Sequence, residues 1–260
     1  KCHCGLHTLQ LNNGTYKSCN SYFGNTYKRT IEKYKDSYYS VDNWANHVKS
    51  FGLGQFLGTD LPIGAKGLVP TSKMYKKMYN GAPIRSSYII SNSIGQGEVK
   101  LTPLHMANIA AIIANKGWFY VPHFVKSIGR KGPLAIYRTK KRTMVNEQYY
   151  GPVIEGMRRV VNEAGGTASM ARLDDIEICG KTGTVQNPHG EDHSVFIAFA
   201  PMNNPKIAIA VFVENAGFGG TWAGPIASLM IEKYLKRKVS DKDKEKRIID
   251  AKLAYISNQR

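Results

Sequence analysis

Apolar residues recur at helical spacing in several stretches of this chain and as short β-branched runs in three others. Tyr27, Ile31 and Tyr34 share one face of a helix, and Trp44, Val48 and Phe51 share that of a second. Leu104, Ala107, Ala111 and Ala114 line up in a third helix, and Ile109, Ile112 and Ile113 widen its face enough to bury most sides. Thr102 suits its N-cap, Pro103 its first position and Gly117 its end. Val153, Ile154, Met157, Val160 and Val161 predict a helix from Pro152 to about Ala164, stopped by Gly165 and Gly166. Residues 222–236 predict another through Ile226, Leu229, Met230, Tyr234 and Leu235. The tail from Ser240 alternates Lys with Asp and Glu, with a weak amphipathic stripe.

Three strands are expected late in the chain, at Ile176–Val185, Ser194–Ala200 and Ile207–Glu214. The turn signature MNNPK and other short links make them antiparallel neighbours. Residues 118–145 carry two β-type runs around Gly132–Pro133, and the glycine-rich stretch 51–67 reads as loop.

The chain has 260 residues, 42% of them hydrophobic, which is enough for a packed core. Its longest apolar run, Ile207–Val213, is far short of the ~20 residues that span a bilayer. It opens at Lys1 with no leader pattern, which fits an excised or processed piece. The formal charge of +17 favours anionic surroundings such as acidic lipid, an acidic polymer or nucleic acid. No RNA-binding strand signature or zinc-finger spacing supports nucleic acid. Four cysteines do not make a disulfide scaffold. Cys2, His3, Cys4 and His7 lack the second ligand pair of a closed zinc site and read as a frayed terminus, so no metal is expected. Cys19 and Cys179 read as small core residues.

The segment IEICGKTGT sets a lysine, two hydroxyls and a glycine on one strand. Such an edge can hold a carboxylate with Lys181, Thr182 and Thr184. Gly183 leaves a substrate backbone room to lie along it. The N–H near Thr184 can point at an oxyanion. Far upstream stands Ser18-Cys19-Asn20, a Ser-x-Asn. Together with GEVKLTPLHMANIAAIIANKG, EGMRRVVNEAGGTA, HSVFIAFAP and GTWAGPIASLMIEKYL, in that order, these motifs resemble class B penicillin-binding proteins of the elongation type over about Tyr16–Val239.

The resemblance implies an α+β fold, an antiparallel sheet flanked by helices with an all-helical subdomain. Residues 1–239 would be a partial transpeptidase domain and 240–260 a charged tail. The implied chemistry is cross-linking of peptidoglycan stem peptides through a serine acyl-enzyme, which β-lactams intercept, with no cofactor. Ser18 would relay protons, Asn20 would bond the substrate amide, and Lys181 would supply positive charge. Thr182 and Thr184 would bind the terminal carboxylate, with the Thr184 N–H as half of an oxyanion hole. The family's Ser-x-x-Lys nucleophile motif occurs nowhere in the chain. The attacking serine, its lysine and the first two sheet strands are therefore expected to be absent, and the chain by itself to be inactive. A bare outer edge would remain on the Ile207–Glu214 strand, to be covered by another segment or another copy. The resemblance also implies a membrane glycan polymerase and a shape-determining scaffold as partners, and a place on the periplasmic face of the cytoplasmic membrane. A D,D-carboxypeptidase or β-lactamase with water as acceptor shares both motifs, and a non-catalytic sensing or scaffold domain is a further alternative. The match across 93–117 and 194–235 favours the transpeptidase.

Overall fold

A computed structural model describes residues 9–251 and 253. The possible metal ligands Cys2, His3, Cys4 and His7 lie outside them. In chain order come α1 (Leu11–Tyr16), α2 (Asn20–Ile31), α3 (Ser37–Lys49), α4 (Ser72–Met78) and α5 (Pro103–Ala114). Next are β1 (Trp118–Phe119), α6 (Ala135–Arg138), β2 (Lys141–Arg142) and α7 (Tyr150–Asn162). The chain continues through β3 (Cys179–Val185), β4 (His193–Ala200), β5 (Ile207–Val213), α8 (Ala223–Lys236) and α9 (Lys242–Ile249).

The central sheet is antiparallel in the order β3-β4-β5. Its register sets Lys181 opposite Ile197, Gly183 opposite Val195 and Ala198 opposite Ile209. Strand alternation gives it two apolar faces. Phe196, Ala198 and Ile209 pack with Ala227 and Ile231 of α8. Cys179 and Phe199 pack with Ile112 and Ile113 of α5 and with Ile154 and Met157 of α7. A separate helical subdomain has its own core of Tyr27, Ile31, Val41, Tyr75, Ile84 and Ile89. The expected α+β architecture is therefore present. Among the described residues the outer edge of β5 carries no strand.

Several boundaries differ from expectation for identifiable reasons. Ile176 and Ile178 are buried but precede β3, whose ladder with β4 begins at Cys179; beyond it the chain stays close through the Met202 N–H, which donates to the Glu177 carbonyl at 2.9 Å. Tyr34 lies past the end of α2 and is exposed rather than on its packed face. The β-type runs at 118–145 yield only the ladder Trp118–Phe119 with Lys141–Arg142, while residues 135–138 form α6. Pro122 and Pro133 remove ladder donors there, and among the described residues no third strand covers the apolar residues.

Helix α5 starts as expected, since the Thr102 side chain accepts from the His105 N–H and the His105 side chain returns to the Thr102 N–H. His105 Nε2 lies 3.0 Å from the Gln55 carbonyl, which ties the loop at 51–67 to α5. Helix α1, unpredicted, is held by tertiary contacts. Its Thr15 passes so close to Gly156 of α7 that a Cβ there would sit 2.7 Å from the Thr15 Cβ. Tyr16 donates its hydroxyl to the Ala164 carbonyl at 2.5 Å, and Arg159 lies 4.4 Å over the Tyr16 ring. Docking α1 on α7 is what brings residue 18 to the sheet.

Candidate active site

Just past the end of α1, after its C-cap Lys17, stands Ser18, whose φ of 50° is left-handed. The Cys19 N–H closes the turn on the Gly14 carbonyl at 2.9 Å. Glycine or asparagine ordinarily takes this place, and a residue with a Cβ pays about 1–2 kcal/mol there. The chain accepts that strain at the serine whose Oγ meets Lys181 of β3. Lys181 Nζ donates to Ser18 Oγ at 2.5 Å across 163 positions and to the Thr182 carbonyl at 2.9 Å. The proposed site thus rests on a contact between the two motifs that sequence order alone had paired.

Between α2 and β3 runs a groove of about 770 Å³. It brings together all six expected residues, Ser18, Asn20, Lys181, Thr182, Gly183 and Thr184. Lys181 is the only charged side chain among the described residues that line it. Burial with no anion beside it pushes the Lys181 ammonium down to about 8. At neutral pH it remains mostly cationic, yet a minor share is neutral amine able to take the Ser18 proton. One pair of residues can therefore attract a carboxylate and shuttle a proton.

The outer edge of β3 is free of strands among the described residues, so an extended peptide has a ladder to join. Gln96 Nε2 donates to the Thr184 carbonyl on that side at 3.3 Å. The Thr182 and Thr167 hydroxyls lie 2.9 Å apart, which aligns both along the groove.

Sequence reasoning had not assigned the groove's walls. Phe23 of α2 and Ser93, Ile94 and Gln96 beside it form one, and Thr167, Ser169 and Met170 another. The third is the loop Phe218–Thr221, laid across the strands. A Cβ at Gly219 would sit 2.2 Å from the Val195 carbonyl oxygen, and one at Gly220 2.2 Å from that of Thr167. Only glycine permits this approach. Buried Ser194 anchors the loop, donating to the Phe218 carbonyl at 2.9 Å and accepting from the Ala223 N–H at 3.1 Å. The charged tail reaches the same wall, where Arg247 donates to the Thr221 carbonyl at 2.8 Å and covers the Trp222 ring at 4.9 Å. Of these positions, the stretches EAGGTA and GTWAG, which carried the resemblance, contained Thr167, Gly220 and Thr221. Cys19 and Cys179 are buried, and burial pushes the Cys179 thiol up to about 12, so thiolate chemistry there is suppressed.

A sheet, a helical subdomain and a Ser–Lys groove between them make up the α+β fold of the penicillin-binding class. The chain belongs to the family described as penicillin binding protein transpeptidase domain, which matches residues 1–232. It is 30% identical over 246 residues to the peptidoglycan D,D-transpeptidase MrdA of Haemophilus influenzae, covering 83% of this chain and 37% of that protein. The chain thus spans well under half the length of this curated relative. Its fold matches the structure of Pseudomonas aeruginosa PBP2 in complex with WCK 5153, with a TM-score of 0.72 and 30% identity over 90% of this chain and 50% of that one. It also matches PBP2 in its complex with MreC from Helicobacter pylori, with a TM-score of 0.69 and 27% identity over 87% of this chain and 40% of that one. Together these support the expected likeness to elongation-type penicillin-binding protein 2.

Proposed function

We propose that the chain is the substrate-gripping part of a serine D,D-transpeptidase that cross-links peptidoglycan stem peptides during cell-wall elongation. The contact between Lys181 and Ser18 across the groove carries this reading. Lys181, Thr182 and Thr184 hold the terminal carboxylate of a D-Ala-ended stem peptide or the carboxylate of a β-lactam. Asn20 bonds the substrate amide, Gly183 makes room for its backbone, and Ser18 relays a proton to or from Lys181. The serine that attacks belongs to a Ser-x-x-Lys helix, a motif that this sequence does not contain. Domain limits follow the same reading, with residues 1–239 in the partial transpeptidase domain and 240–260 in the tail.

A scaffold of the MreC kind and a membrane glycan polymerase are the partners this reading implies, at the periplasmic face of the cytoplasmic membrane. The H. pylori complex of PBP2 with MreC supports the first. No helix of the described residues is long and apolar enough to cross a membrane.

The test is acylation of the whole protein by a labelled penicillin. Lys181→Ala is expected to slow acylation by about 100-fold or more while the protein stays folded. Unchanged acylation kinetics would remove Lys181 from the site. The chain alone, treated likewise, is expected to show no covalent adduct by mass spectrometry. An adduct on Ser18 would make it the attacker rather than the relay.

A further inference from the structure

Residues 120–140 leave the body of the molecule as an excursion with a fixed base. The ladder of β1 with β2 closes it, pairing Trp118 with Arg142 and Phe119 with Lys141. The His123 and Tyr137 rings stack at 4.6 Å. Asp60, in the neighbouring loop, accepts from the Phe124 N–H at 3.0 Å and the Val125 N–H at 2.7 Å. At the tip, Ile128 and Lys131 exchange backbone hydrogen bonds of 3.0 and 3.1 Å around Gly129.

The outer part of this excursion is apolar and exposed. Phe124 is 70% exposed, Ile128 68% and Leu134 61%, and none belongs to a core cluster. The loop held by Asp60 adds Ile63, 84% exposed. Large apolar side chains concentrated on one projection mark a contact surface.

Charge narrows what that surface meets. From Val99 to Asn146 the sequence contains no Asp or Glu. The excursion and its base carry Lys126, Arg130, Lys131, Arg138 and the run Lys140–Arg142. At the base of the excursion the Trp118 and Tyr120 rings meet edge to face, with Lys140 Nζ 4.1 Å over the Trp118 ring, while Tyr137 stacks on His123. Exposed apolar side chains interleaved with cations, and amphipathic aromatics at the base of the excursion, match the composition of a bilayer-interface contact. A soluble acidic polymer would call for the cations but not for Phe124, Ile128 and Leu134. A protein surface carries both signs of charge, whereas 99–146 offers only cations to a partner, which favours an anionic lipid surface over a protein.

We propose that the excursion at 120–140 docks on a membrane surface rich in anionic lipid, its exposed apolar side chains entering the headgroup layer and its lysines and arginines meeting the headgroups. Such a contact would orient the domain against the membrane independently of the groove's chemistry.

The experiment is co-sedimentation of the whole chain with phosphatidylglycerol–phosphatidylcholine vesicles and with phosphatidylcholine vesicles alone. Binding is expected to the first and to be about tenfold or more weaker to the second. Replacing Phe124, Ile128 and Leu134 together by Ser is expected to weaken binding to the anionic vesicles at least about tenfold with the charge unchanged. Replacing Lys126, Arg130 and Lys131 by Gln is expected to do the same. Replacing Lys73, Lys76 and Lys77 of α4 by Gln removes equal charge elsewhere and is expected to change binding less than about threefold. All the substituted side chains are exposed, and thermal unfolding of each variant checks that the fold is kept. Equal losses from the α4 and excursion lysines would reduce the effect to diffuse charge and overturn the proposal. So would full binding by the triple-serine variant, the result expected for a purely anionic polymer or ion surface.

Discussion

Lys181 offers a prediction whose size follows from its surroundings. Replacing it with Met keeps the stem and removes the charge. In the folded chain burial lowers its pKa from 10.5 to about 8, and the groove supplies no anion to offset this. The unfolded chain therefore holds a proton on this lysine up to about pH 10.5, while the folded chain releases it near 8. Between those values the unfolded state binds more protons, so stability must rise with pH. The rise from this one group is about 3 kcal/mol, equal to the cost of keeping the buried ammonium at pH 7. Lys181→Met carries no such cost and no such slope. Urea unfolding of parent and variant at a series of pH values between 7 and 10.5 measures the difference, and the other titrating groups cancel. At pH 7 the variant is expected to recover part of that 3 kcal/mol, less about 1–2 kcal/mol for the lost hydrogen bonds to Ser18 and Thr182. The gap should then shift in the parent's favour by about 3 kcal/mol as the pH climbs. Curves that stay parallel over the whole range would refute the argument that Lys181 is a desolvated cation with no anion to offset its charge.

Other expectations follow from the same contacts. Tyr75 donates its hydroxyl to Glu98 at 2.8 Å and lies 2.7 Å from the Asn92 side chain; Tyr75→Phe should cost about 1–3 kcal/mol in chemical denaturation by orphaning these groups. Arg247→Ala should weaken β-lactam or stem-peptide binding in the groove several-fold by loosening the Thr221 wall, while global stability in urea falls by under about 1 kcal/mol. Equal binding by that variant would detach the tail from the site. Gly219→Ala should lose ligand binding and, by displacing the wall from the Val195 carbonyl, cost about 1–3 kcal/mol in urea unfolding.

The elements that were legible in the sequence are those whose own pattern sets their structure. Strands β3 to β5 follow from β-branched runs and a turn signature, and α5 from Thr102, Pro103 and a regular apolar face. The site was legible as two motifs, because carboxylate binding needs a cation and hydroxyls and such residues are sparse on a half-buried strand. What resisted was whatever depends on distant packing. Helix α1 is six residues of LNNGTY with no apolar period, and it exists because Gly156 admits Thr15. The excursion reads as β by propensity, yet its prolines and lack of a covering layer leave it a projection. The groove's walls depend on Gly219 and Gly220 sliding under backbone carbonyls, a fit that only the assembled sheet reveals.

The account stands on a groove that grips a terminal carboxylate with Lys181. The most direct measurement is NMR of the chain labelled at lysine Nζ and Cε, titrated in pH with and without a peptide ending in D-Ala-D-Ala. The free Lys181 signal should titrate near 8, move up by about 1 or more with the peptide, and stay put with the same peptide amidated at its C terminus. Identical titrations with the free-acid and amidated peptides would contradict it.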